Sequence, residues 1–179
     1  MATTAATATI ISNDPDIPAP QRAITDPRAF ACEMIARNMR GTHWVAGGRG
    51  DNVTGFDQWG FVRRCVAAGR AVSPHDLPDL PAGYSAASSG HPDMVTHATA
   101  VALLRSWGLV DINPRYAGPG DLLLFATPAA HPAVLMRSNT GHAVIMHTFD
   151  GRGRVGADPL QGRWTRQLVG AFAWSAGPC

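Results

Sequence analysis

Residues 55–69 read GFDQWGFVRRCVAAG, and this stretch organises the rest of the chain. Asp57 stands where a helix cap belongs, because its carboxylate can accept from the unpaired N–H groups of a first turn. Phe61, Val62, Cys65 and Val66 then recur at helical spacing, and Gly69 follows as a stop. The spacing predicts a helix that begins near Asp57 and presents one apolar face.

Upstream, Asp26 and Pro27 form a second start signal, a cap followed by proline at the first helical position. Phe30, Met34, Ile35 and Met39 mark the apolar spacing of that helix, and Gly41 ends it. Between the two helices, GTHWVAGGRGDNVTG (41–55) is a glycine-rich loop. No strand precedes it and the chain holds no GxxxxGK[ST], so it is not a phosphate cradle. Residues 1–25 run from Ala and Thr into NDPDIPAP, whose prolines forbid a helix. They read as an extended arm, disordered or lying on a partner surface, ahead of a single domain over 26–179. The apolar piece ATIIS (8–12) could add an edge strand to a neighbour.

Downstream, residues 70–92, with SPHDLPDLPAGY (73–84), read as loop, and a third helix is expected from Pro92 to Trp107, ending at Gly108. The period then changes. DLLLFA (121–126), AVLMR (133–137), HAVIMHT (142–148), RVGA (154–157) and QLVGAFAW (167–174) read as strands with turn residues between them. Helices first and antiparallel-looking strands afterwards give an α+β domain.

Composition removes several function classes. The formal charge is +2, all 15 basic residues are Arg, and they are scattered apart from Arg63 and Arg64, so no nucleic-acid track is expected. No apolar run approaches the roughly 20 residues of a membrane span, and the N-terminus lacks the basic start and apolar core of a secretory signal. The three cysteines, Cys32, Cys65 and Cys179, lack CxxC spacing. They suggest neither a disulfide framework nor a zinc site, and Cys32 and Cys65 read as buried helix residues. His142 and His147 fall on opposite sides of a regular strand, so a shared metal is not expected. No metal or cofactor is expected elsewhere.

The order of the pieces carries a resemblance. FDQWGFV (56–62), PGDLLLF (119–125), His131 and His147 follow one another as do the parts of the NlpC/P60 family of papain-like cell-wall peptidases. The likeness is greatest to the phage-tail and gene-transfer-agent branch. There, DQWGFV resembles the cysteine motif at Asp57, Trp59, Gly60 and Val62. GTHWVAGG (41–48) and RWTRQLVGAFAW (163–174) resemble the branch's preceding loop and closing strand. The resemblance implies a papain-like α+β fold, with N-terminal helices packed on a central antiparallel sheet. It places Gln58 in the nucleophile slot, His131 in the base slot and His147 in the orienting slot, with Trp44 and Asp57 at the substrate cleft.

In such a site a thiolate at a helix N-terminus attacks, a histidine carries the proton, and a third polar group fixes the imidazole. Gln58 has no ionisable proton and cannot attack. Losing the nucleophile of a comparable serine enzyme removes on the order of 10⁶-fold in rate. Cys65 lies seven residues on in the sequence, about 10 Å along a helix at 1.5 Å per residue, away from the N-terminal field. The resemblance thus implies a degenerate peptidase domain in a phage or gene-transfer-agent tail tip. Such a protein is made in the bacterial cytoplasm, carried in the virion, and contacts other tail-tip or hub proteins, with the 1–25 arm as an anchor. Its alternatives are an active cysteine-type peptidoglycan endopeptidase used during entry, and a module that grips murein peptides without cutting them.

Overall fold

The computed structural model describes residues 26–45, 48, 55–78, 95–126, 129–149 and 153–175. The 1–25 arm lies outside the described residues. Helices α1 (Pro27–Asn38), α2 (Gln58–Gly69) and α3 (His97–Ser106) precede six strands: β1 (Leu109–Ile112), β2 (Leu122–Ala126), β3 (Ala130–Arg137), β4 (Ala143–Phe149), β5 (Arg154–Pro159) and β6 (Leu168–Trp174). A short helix, α4 (Arg163–Gln167), sits between β5 and β6. The strands form one sheet in the order β1-β6-β2-β3-β4-β5, and every neighbouring pair is antiparallel. The architecture is the α+β arrangement expected from the sequence.

Both start signals act as read. Asp26 accepts from the Arg28 backbone N–H at 2.8 Å, and Asp57 Oδ1 accepts from the Gly60 N–H at 2.7 Å. The apolar face of α1 differs from the sequence reading. Ala29, Cys32 and Ala36 are buried, whereas Phe30 is 55% exposed and Met34 40% exposed. Ile35 is half-buried, and Met39 alone of the four is buried. The cause is close approach. A Cβ at Gly120 would collide with the Ala29 carbonyl, so α1 rests directly on the backbone before β2 and only small side chains fit between. Leaving Phe30 and Met34 uncovered forgoes about 2 kcal/mol each.

Gly69 also has a different reason from the one the sequence suggested. It ends α2, but the Trp174 ring occupies the space a Cβ would need, so packing rather than chain reversal requires glycine there. Helix α3 begins at His97 behind the cap Thr96, and Pro92, the expected start, lies outside the described residues. The edge strand β1 and helix α4 were not anticipated, because each is too short to show a period.

The sheet separates two cores. On one face α1, α2 and α3 pack Trp59, Phe61, Val62 and Trp107 against Leu122, Leu124 and Val134. On the other, Leu123, Phe125, Leu135 and Ile145 pack with Leu160 and Trp164 from the β5–β6 connection. Trp59 and Trp107 meet edge to face with centroids 6.4 Å apart, which makes Trp59 a packing residue.

The contact at Gly120 sets a test. Gly120 and Gly141 have nearly equal φ, +85° and +86°, but nothing lies within 4 Å of a Cβ built at Gly141. Gly141→Ala is expected to cost about 1 kcal/mol from backbone strain alone, and Gly120→Ala about 3 kcal/mol or more, read by urea unfolding.

Candidate functional site

Strand alternation aims the two histidines. In β3, Ala133 and Leu135 belong to the second core, so His131 shares their side; in β4, Ile145 does the same for His147. His131 is 5% exposed and His147 1%. Their rings meet at 5.1 Å between centroids, and His131 Nε2 lies 3.0 Å from His147 Nδ1. The base and orienting positions are therefore in direct hydrogen-bond contact.

A third polar group continues the chain. Asp158, buried in β5, holds Oδ2 3.3 Å from His147 Nε2. The same oxygen accepts from the Trp164 indole N–H at 3.2 Å, and Arg163 approaches it at 3.9 Å. A carboxylate only accepts, so His147 carries its proton on Nε2. With the His147 ring neutral, its Nδ1 accepts and His131 donates from Nε2. The lone pair of His131 accordingly resides on Nδ1. Trp164 lies 4.8 Å from the His147 ring and 5.6 Å from the His131 ring, closing the cluster beside Phe125. Arg163 stacks 4.7 Å over Trp164.

Asp158, Trp164 and Arg163 were not among the sequence candidates. The strand was read to end at Ala157, yet alternation from Val155, carried one residue further, would have put an acid on the histidine side. His142 is exposed, and among the described residues no group of three or more His, Cys, Asp or Glu side chains is arranged to hold a metal.

Gln58 is the half-buried first residue of α2. The α2 side chains that follow it, Trp59, Phe61 and Val62, belong to the first core, while His131 and His147 lie on the second-core side of their strands. Asp57 is buried and serves as the cap of α2. Trp44 is half-buried and fixed by its backbone, bridging Phe56 and donating to the Gly153 carbonyl at 2.9 Å. Both described cysteines are fully buried. A hydrogen bond between Cys32 and Cys65, followed by burial, holds the Cys32 thiol well above its ordinary range, which makes it unreactive.

Charge decides what the histidine chain can do. Burial first, then the neighbouring His147 and Arg163, lower the His131 pKa from 6.5 to about 3. Such an imidazole is neutral at every physiological pH. A general base is most effective with a pKa near the working pH, and desolvation moves His131 away from that range.

The same shift has a consequence for stability. The unfolded chain takes up a proton at His131 near pH 6.5, whereas the folded chain resists it down to about pH 3. Stability from this group is therefore present above pH 6.5 and is lost as the pH falls toward 3, at up to about 1.4 kcal/mol per pH unit. Urea unfolding of the wild type and His131→Asn across pH 3–7 should show a shallower pH dependence in the variant. Equal slopes would contradict the assignment.

No family model matches the sequence, and no curated protein matches it. A solved structure resembles it: that of a protein from Staphylococcus aureus described as similar to lipoprotein, of the NLP/P60 family. The likeness has a TM-score of 0.52 and 18% identity, and it covers 91% of this chain and 43% of that one. This chain thus spans less than half the length of that protein, and the likeness concerns the fold. Helices packed on a six-stranded antiparallel sheet, with a structural neighbour of this kind, give the chain a papain-like, NlpC/P60-type fold.

Proposed function

We propose that this chain is a peptidase-like module without thiol hydrolysis, serving as a structural component of a phage or gene-transfer-agent tail tip. The observation that carries the loss of chemistry is the start of α2. The capped helix end is present, with Asp57 accepting from Gly60, but the side chain it would activate is Gln58. Cys65 does not substitute, because it is buried against Cys32 inside the helical layer. The histidine that would take the proton has a pKa near 3 and faces the second core.

The placement in a tail tip is supported by the sequence. The loop 41–48, the motif 57–62 and the closing strand 163–174 resemble the phage-tail branch in the same order. In this reading the scaffold is kept for contacts with neighbouring tail-tip or hub proteins, and the protein acts within the particle.

The test uses purified protein and isolated peptidoglycan. The expected result is no release of muropeptides above background, with or without iodoacetamide, and no alkylation of Cys32 or Cys65 in the native state. Muropeptide release that iodoacetamide abolishes would overturn the reading.

A further inference from the structure

Helices α1 and α2 approach each other closely. A Cβ built at Gly69 would lie 2.9 Å from the Arg28 carbonyl oxygen, so the two backbones nearly touch at that level. Cys65 stands four residues before Gly69 on α2, and Cys32 four residues after Arg28 on α1. Each step is about one helical turn. A step back along one helix is matched by a step forward along the other, which places the two cysteines opposite each other at the next level of the seam. Their contact is direct. The thiols are hydrogen-bonded, and both are fully buried in the first core. A separation of 33 positions in the sequence hides this pairing from any spacing rule. A disulfide requires Cα atoms about 4.4–6.8 Å apart, a spacing that facing cysteines on closely packed helices provide.

We propose that Cys32 and Cys65 are a redox pair, two free thiols in a reducing compartment and a disulfide stapling α1 to α2 in an oxidising one. The oxidant is a low-molecular-weight disulfide. One protein thiolate attacks a sulfur of that disulfide, which forms a mixed disulfide and releases one small thiol. The other protein thiolate then attacks the protein sulfur of the mixed disulfide and displaces the second small thiol. Two protein thiols are thereby oxidised by two electrons, the oxidant is reduced to two thiols, and the two protons end on them. The bond is made while the chain folds or is locally open. In the folded protein neither sulfur is exposed, and the Cys32 thiol is held protonated by its hydrogen bond to Cys65 and by burial. The packed, reduced pair is therefore inert to outside reagents. The disulfide encloses the glycine-rich stretch 41–55 and the start of α2 in one covalent loop. Closing such a loop chiefly restricts the unfolded chain, so the staple stabilises the fold already present. The inference does not depend on the role of the module in a particle.

The test uses the full chain in a Cys179→Ser background, which leaves only the two buried thiols. The protein is refolded from urea in equimolar reduced and oxidised glutathione, so that burial does not bar the reagent, and in parallel in dithiothreitol. The glutathione sample is expected to be lighter by two hydrogens and to take up no iodoacetamide when unfolded again, with native near-ultraviolet circular dichroism. Its urea midpoint should exceed that of the dithiothreitol sample by about 1–2 M. Cys32→Ala should remove this difference between the two samples. Two alkylated cysteines, a stable glutathione adduct on either one, or a disulfide form that loses the native spectrum or gains no stability would overturn the proposal.

Discussion

The Asp158 carboxylate is the constraint around which the second core is built. A buried carboxylate must be answered by donors, because leaving it unpaired would cost several kcal/mol. His147 and the Trp164 indole both donate to its Oδ2, with Arg163 near the rim. That requirement puts a proton on His147 Nε2, and with that ring neutral the proton of His131 lies on Nε2. Four elements, β3, β4, β5 and α4, are thereby locked in register around one oxygen. The chain has the polarity of a catalytic triad, yet its first member is desolvated to a pKa near 3.

The helical layer obeys a different constraint. α1 approaches the sheet so closely at Gly120, and α2 meets Trp174 so closely at Gly69, that small side chains are required between them. Cys32 and Cys65 belong to this set and serve as compact buried groups. The same closeness turns Phe30 and Met34 outward. The two faces of the sheet thus differ: helices α1, α2 and α3 cover the first, and the histidines point to the second.

Much of this was legible in the sequence. Asp26-Pro27 and Asp57 are local signals whose chemistry acts within one turn, and both helices begin where those residues place them. The five longer strands were legible because their alternation is sustained by buried Val, Leu and Ile. The adjacency of His131 and His147 followed only from the family pattern, since nothing local pairs residues 16 positions apart. The inward face of α1 was misread because helical periodicity reports which residues are apolar, whereas the approach of another backbone decides which fit. Asp158 was missed for a similar reason: its role comes from the His147 ring, which lies diagonal to it on β4, and β5 was taken to stop one residue early.

The central claim is that His131 is a buried, neutral member of a hydrogen-bonded chain ending on Asp158, with its proton on Nε2 and its pKa held well below the ordinary imidazole range. The most direct measurement is the side-chain nitrogen-15 spectrum of the histidines as a function of pH. His131 is expected to hold its Nε2–H tautomer and to show no titration between pH 8 and pH 4. A His131 that titrates near pH 6.5, or that carries its proton on Nδ1, would contradict it.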